Sequence, residues 1–339
     1  MTEDRREPEI RPGVRSIARA TGLSVATVSR VLNGSANVKT STRDRVLAAV
    51  RDLGYAPHAA ARALATSRTR TIAAVVPTLE HSIFARFLNM VEVELARHGY
   101  ALIIATSGGA HDQELKRVRE LLDMGGEGLI LSGIDHHPEL LELIEARRVP
   151  TVCTSIYDAG SPLPTIGYDN ENLGKDAIGY LQDLGHRRIA VIHGPLADND
   201  RTRLRRAGIE RASRPETELH FFETNLVAAG GAAAARSLLG KTCRPSAALC
   251  LSDVLALGVL FESGRQGLDV PEQLSVMGFD DLDWAEHSQP SLTTIKLPTA
   301  EMGRMAADAL VDRLDHGIEL PSLCLPSSIV TRMSTARAG

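Results

Sequence analysis

From residue 71 onward, short β-branched runs alternate with longer helical patterns, and this alternation limits the possible folds more than any other feature of the chain. Strands joined through helices run parallel, and a parallel sheet must be covered by helices on both faces. Two strand series occur. TIAAVVP (71–77), ALIIATS (101–107), GLILSG (128–133) and VPTVCTS (149–155) form the first, and RIAVIHG (188–194), LHFFET (219–224), AALCLS (247–252) and LSVMGFD (274–280) form the second. The helices between them stop at glycines, FLNMVEVELARHG at Gly99 and IGYLQDLG at Gly185. The run GGAAAARSLL (230–239) reads as a buried, close-packed helix, since alanine is the best helix former. The expectation is a pair of doubly wound α/β halves preceded by a small N-terminal domain, which suits a length of 339 residues.

That N-terminal segment has its own signature. In S16-I-A-R-A-T-G22-L-S-V-A-T-V-S-R-V31, apolar Ile17, Leu23, Val28 and Val31 face one core, Ala18 permits close helix crossing and Gly22 supplies a sharp turn, a helix-turn-helix pattern. Ser24 suits the N-cap of the second helix, whose first turns then present Val25, Ala26, Thr27, Ser29 and Arg30. A third helix, TRDRVLAAVRDLG, places Val46, Leu47, Val50 and Leu53 at helical spacing and stops at Gly54. Charge divides along the same line. Residues 11–70 hold eleven Lys or Arg against only Asp44 and Asp52, a net +9, whereas residues 71–339 carry a net −11. A basic head on an acidic body is the electrostatic footprint of a nucleic-acid-binding module joined to a second function.

V14-x-x-I-A-x-x-x-G-L-S-V-A-T-V-S-R-V-L-N-G34 and L53-G-Y-x-P57, followed in order by L184-G-H-R-R-I-A190, S252-D, G278-F-D-D and L292-T-T-I295, make the chain resemble the lactose/galactose repressor (LacI/GalR) family along nearly its whole length. The resemblance implies an all-α helix-turn-helix head and a two-lobed α/β sensor similar to periplasmic binding proteins, built on two doubly wound parallel sheets. The implied division is an N-terminal extension (1–13), the head (14–56), a hinge helix (57–69), and an effector-binding and dimerisation domain (70–339). Within that domain one lobe spans about 70–168 and 296–325, and the other about 169–295 and 326–334. The implied function is a repressor that binds a palindromic DNA operator as a homodimer and responds to a small hydroxyl-rich effector, a sugar or related metabolite.

Matched by position, Val25, Ala26 and Arg30 would read bases, while Ser24, Ser29, Asn33 and Thr42 would hold phosphates. An arginine can donate a bidentate pair to guanine, and Val25 and Ala26 offer apolar contact such as to a thymine methyl, so the chemistry fits, with a phosphate clamp as the alternative for Arg30. In the hinge, Leu64 matches an apolar wedge pushed between base pairs, Ala61 lies on the same segment, and His58 stands where the family usually has asparagine. For the effector, Phe84 matches an aromatic ring wall, Arg205 in R-x-x-G208 a clamp on ligand oxygens, and Ser252 and Asp280 acceptors for hydroxyls. Tyr168 either lines the pocket or packs between the lobes. Phe84, Arg205, Ser252 and Asp280 follow strand ends, where ligands of doubly wound sheets sit, and Tyr168 stands at the expected crossing between the lobes. Ser252 replaces the usual asparagine, Ser155 stands where some relatives carry an acid, and Leu226 where the lactose type has tryptophan, so the effector is not identified.

Other function classes are disfavoured. Asp280 and Asp281 leave a strand on opposite sides and cannot flank one glycosidic bond, no Gly-x-Ser-x-Gly elbow occurs, and Gly240-Lys241-Thr242 lacks the first glycine of a phosphate loop, so no enzyme is expected. Asp135-His136-His137 reads as a solvated loop, leaving no metal site and no cofactor. Cys153, Cys243, Cys250 and Cys324 read as reduced core thiols. No window approaches the roughly 18 apolar residues of a membrane span, and the N-terminus has no secretory stretch, so a cytoplasmic protein is expected.

Overall fold

The computed structural model describes residues 13–32, 37–55, 63, 66–239 and 244–339. The chain forms two compact units, Met1–Thr69 and Arg70–Gly339.

The first unit is a three-helix head: α1 (Val14–Thr21), α2 (Val25–Leu32) and α3 (Thr40–Asp52). Ile17, Ala18, Val28, Val31 and Val46 are buried together, and Leu23, Val50 and Leu53 pack against them. Gly22, at φ +63°, makes the turn between α1 and α2. Leu47 departs from the sequence expectation, being 39% exposed. It stands 100° around the helix from Val46, beyond the stripe that faces the core.

The second unit holds two six-stranded sheets. In the first, β1 (Thr71–Val76), β2 (Ala101–Thr106), β3 (Gly128–Ser132), β4 (Thr151–Thr154), β5 (Thr165–Gly167) and β11 (Leu323–Cys324) lie in the order β11-β5-β4-β3-β1-β2, all parallel. In the second, β6 (Arg188–His193), β7 (Glu218–Glu223), β8 (Ala247–Cys250), β9 (Ser275–Asp280), β10 (Thr293–Lys296) and β12 (Ser328–Val330) lie in the order β12-β10-β9-β8-β6-β7, with only β12 antiparallel. Strands β5, β10, β11 and β12 add to the eight expected from sequence. The chain crosses between the lobes three times, after β5, after β10 and between β11 and β12.

Helices cover both sheets. α4 (Ser82–Arg97), α5 (His111–Asp123), α6 (Pro138–Arg147) and α11 (Thr299–His316) flank the first, and α7 (Asn170–Asp183), α8 (Asp200–Ala212), α9 (Ala228–Leu239) and α10 (Asp253–Arg265) flank the second. Central strands are buried along their length: β1 except at its first residue, all of β4, and β9 throughout. This explains their near-continuous apolar runs. The alanine-rich α9 packs directly on α10, where a Cβ on Gly231 would lie 2.1 Å from the Leu255 carbonyl oxygen. Cys153 and Cys250 are buried thiols, but Cys324 is exposed on the two-residue edge strand β11, against expectation, and Cys243 lies outside the described residues. No described helix is long and apolar enough to cross a membrane.

Candidate nucleic-acid interface and effector cavity

On the head, the Ser24 side chain caps α2 by accepting the Thr27 backbone N–H at 3.1 Å, and the two hydroxyls lie 2.8 Å apart. With Val28 and Val31 turned into the core, the helix presents Ser24, Val25, Ala26 and Arg30 outward, Val25 being 47% exposed. Ser29 and, on α3, Thr42 are half-buried. A small apolar tip beside an exposed guanidinium, on a surface rich in arginine, offers both a methyl contact and a bidentate donor to base edges. Asn33, His58, Ala61 and Leu64 lie outside the described residues.

In the second unit, a cavity of about 130 Å³ opens at the carboxyl ends of the strands, between the lobes. Phe84, Tyr168, Arg205, Ser252 and Asp280 all line it, joined by His81, Ser155, Arg201, Thr202, Leu226 and Leu282. Phe84 sits on the first turn of α4 and stacks with His81, ring centroids 6.3 Å apart. Burial, the largest influence, lowers the His81 pKa and favours the neutral ring. Tyr168 does both things the sequence left open, lining the cavity and belonging to the apolar core at 4% exposure.

Arg205 is brought in by a close helix crossing. A Cβ on Gly208 would lie 1.9 Å from the Glu171 carbonyl oxygen, so only glycine lets α8 touch α7 backbone to backbone. From there Arg205 reaches inward at 7% exposure. It donates to Asn170 Oδ1 at 2.9 Å and to the Leu251 carbonyl at 3.1 Å, and lies 4.7 Å over the Phe279 ring. These contacts are all neutral, and the charge that acts on the guanidinium across the cavity is the Asp280 carboxylate.

Asp280, the last residue of β9, is 7% exposed and accepts the Ser252 hydroxyl at 3.1 Å. Burial pushes its pKa up to about 6, against the pull of Arg205 and the Ser252 bond. Behind it stands Asp253, fully buried, accepting the Leu282 backbone N–H at 2.9 Å and the Thr294 hydroxyl at 2.6 Å. Its pKa is raised well above the carboxylate range by burial and by the charge of Asp280. These bonds hold the corner where Asp280 and Asp281 adopt φ +122° and +52°. Asp281 turns away to Arg332 at 2.7 Å. The two adjacent carboxylates therefore have separate partners.

The sequence points to Asp253 only as the residue after Ser252 at a strand end, without a role, and does not point to Asn170. Asn170 links the lobes' crossing to the cavity, donating to the Ser155 carbonyl at 2.9 Å while accepting from Arg205. The loop around His136 was also misread. The His136 side chain is buried, at 1% exposure, with Nδ1 2.8 Å from Glu114 and Nε2 3.4 Å from the Cys153 thiol. Burial works against its charge, but the Cys153 and Glu114 interactions outweigh it and raise the pKa to about 10. His137 accepts the Glu139 backbone N–H and caps α6. Among the described residues one His-carboxylate group, Glu94, His98 and Asp308, has the spacing of metal ligands; its carboxylates are held by Arg97 and Arg304.

Residues 14–58 match the model for bacterial regulatory proteins of the lacI family, and residues 178–335 match a periplasmic binding protein-like domain. Catabolite control protein A of Priestia megaterium is 30% identical over 95% of this chain and 98% of its own length. The transcriptional repressor CytR of Escherichia coli K12 is 33% identical over 89% of each chain. Among solved structures, the Lac repressor dimer bound to operator and the anti-inducer ONPF superposes with a TM-score of 0.86 at 26% identity, covering 96% of this chain and 99% of that one. A complex of the transcriptional regulator CelR with cellobiose gives a TM-score of 0.68 at 30% identity, covering 96% and 100%. With a helix-turn-helix head, a periplasmic-binding-protein-like sensor and full-length likeness to known repressors, this chain belongs to the lacI family of DNA-binding bacterial transcription regulators.

Proposed function

We propose that this protein is a cytoplasmic repressor that binds a palindromic operator as a homodimer, catalyses no reaction, and changes its operator affinity when a small hydroxyl-rich effector, a sugar or related metabolite, occupies the cleft between the sensor lobes. The observation that carries this reading is the cavity itself: a guanidinium, a carboxylate and an aromatic wall converge on a space of about 130 Å³. Carboxylate and guanidinium each make paired hydrogen bonds to vicinal hydroxyls, while a ring face covers the apolar side of a sugar. The CelR complex with cellobiose supports the same ligand class. The separate engagement of Asp280 with Ser252 and of Asp281 with Arg332 supports binding over hydrolysis.

On the head, Val25, Ala26 and Arg30 are assigned to bases and Ser24, Ser29, Asn33 and Thr42 to phosphates. The hinge (57–69) is assigned the minor-groove contacts of His58 and Ala61 and the wedge of Leu64. Two copies are required because one small head buries too little surface for useful specificity. The Lac repressor's dimer on operator supports that stoichiometry. A thermal-shift screen of sugars and nucleosides tests the effector assignment. A true ligand at about a hundred times its dissociation constant stabilises the sensor by roughly 2.7 kcal/mol. A full panel without a hit, at concentrations saturating for micromolar binding, would remove sugars and nucleosides as the effector class.

A further inference from the structure

One rim of the cleft is closed by a buried carboxylate reaching from one lobe into the backbone of the other. Asp200 opens α8 on the second lobe. Its Oδ2 accepts the backbone N–H of Ile134 at 2.6 Å and of Asp135 at 3.1 Å, both on the segment that follows β3 in the first lobe. Its Oδ1 accepts the Arg201 backbone N–H at 2.7 Å and lies 3.0 Å from the Arg201 guanidinium. Asp200 is 7% exposed. Gly133 makes room for it: φ is +92°, and a Cβ there would sit 2.6 and 2.8 Å from the two carboxylate oxygens. Arg203, on the same helix, pairs with Asp135, and His111 lies 3.7 Å from Asp198. Burial alone would raise the Asp200 pKa, but Arg201 and the three backbone N–H bonds outweigh it and hold the carboxyl below its usual range. A second bridge beside the cavity, from Arg86 to the Asp281 carbonyl at 3.2 Å, is exposed and correspondingly weak.

The placement ties this contact to the site. Arg201, Thr202 and Arg205 of α8 all line the cavity, opposite Phe84 and Tyr168 of the first lobe. Whatever fixes the first turn of α8 to the first lobe therefore fixes the width of the cavity.

We propose that Asp200 is a positioning residue: by docking on the Gly133–Asp135 backbone it holds the cleft closed along this rim and sets the place of Arg205 against the opposite wall. The inference builds on the reading of the cleft as the effector site, but its test needs no effector. Hydrogen exchange with mass spectrometry on the full-length, ligand-free chain compares wild type with Asp200→Ala, Asp200→Asn and Gly133→Ala. In Asp200→Ala, amides of 133–136 should exchange at least tenfold faster, while those of β6 and β8 keep their wild-type protection. Gly133→Ala attacks the contact from the other lobe and should give the same local signature, and the double variant with Asp200→Ala should add little to either alone, because both remove one interaction. Asp200→Asn keeps an acceptor without the charge and should fall between. Unchanged exchange at 133–136 in Asp200→Ala overturns the proposal and leaves the effector reading untouched. Protection lost evenly across both sheets in Asp200→Ala and Gly133→Ala overturns it too, by making Asp200 a folding residue.

Discussion

Asp280→Asn should stabilise the sensor at neutral pH while weakening its hold on effector. The carboxyl sits at 7% exposure with a pKa raised from 3.8 to about 6, burial being the main cause. A folded-state pKa above the unfolded one means that between pH 3.8 and 6 the native state holds a proton the unfolded chain has released. Stability therefore falls as pH rises through that window and stays lower above it. A gap of about two pKa units corresponds to about 3 kcal/mol. Asparagine has no such dependence, tolerates the positive φ at this corner, and keeps an acceptor for the Ser252 hydroxyl. Relative to wild type, the variant should thus gain about 2.4 kcal/mol between pH 4 and pH 7. Urea unfolding at pH 4.5, 5.5, 6.5 and 7.5 reads this, followed by the fluorescence of Trp284, the chain's single tryptophan, which lies in the 3-10 turn Asp283–Ala285 just beyond Asp280. Loss of a charged hydrogen-bond partner should also weaken effector binding by about 1.5–3 kcal/mol, roughly tenfold or more. Stability curves that run parallel across the pH range would refute the reasoning, since they would mean that Asp280 is ionised in the folded protein no less readily than in the unfolded chain.

Arg205→Ala should leave operator binding without effector close to wild type yet weaken effector affinity by about 1–3 kcal/mol, read by calorimetry beside an operator titration; equal effector affinity in the variant would place the pocket elsewhere. On the head, Arg30→Ala should relax discrimination at one symmetric base pair by about 1–3 kcal/mol, whereas Thr42→Ala should weaken all half-sites alike. A panel of mutated half-sites separates the two, and uniform losses in both would make Arg30 a phosphate clamp. His136 has a pKa raised to about 10 from 6.5, so the stability of its pairing with Cys153 and Glu114 is fully present below 6.5 and lost as pH rises through 10. The destabilisation by His136→Gln should therefore shrink from pH 7 to pH 10, and a constant difference would contradict a charged His136 in the native state.

The fold was legible where strands are central. β1, β4 and β9 are buried almost throughout, and burial on both faces demands unbroken apolar runs that the sequence displays. β5, β11 and β12 carry no such signal, because they are only two or three residues long and owe their conformation to neighbours: Leu323–Cys324 exists as a strand through its pairing with Ile166 and Gly167. Leu47 shows the converse limit. Helical spacing places a residue on a face, but which 100° of that face meets the core is decided by the partner helices.

At the cavity, the residues selected from sequence were those at the ends of recognised strands, where topology directs any ligand; Phe84, Arg205, Ser252 and Asp280 line one space for that reason. The residues that hold them were hidden for a related reason. Asn170 follows β5, and a strand not seen has no visible end. Asp253 looked like the second half of an Ser-Asp motif, yet its task depends on Leu282 and Thr294, 29 and 41 residues away. His136 sat in a run of polar residues that composition alone reads as solvated, and its burial rests on Glu114 and Cys153, 22 and 17 residues distant. A ligand-facing side chain must stand at a place the topology defines in advance, whereas a supporting side chain need only meet whatever the closed fold brings to it. The first kind of position can be read along one chain, and the second exists only once distant segments have packed.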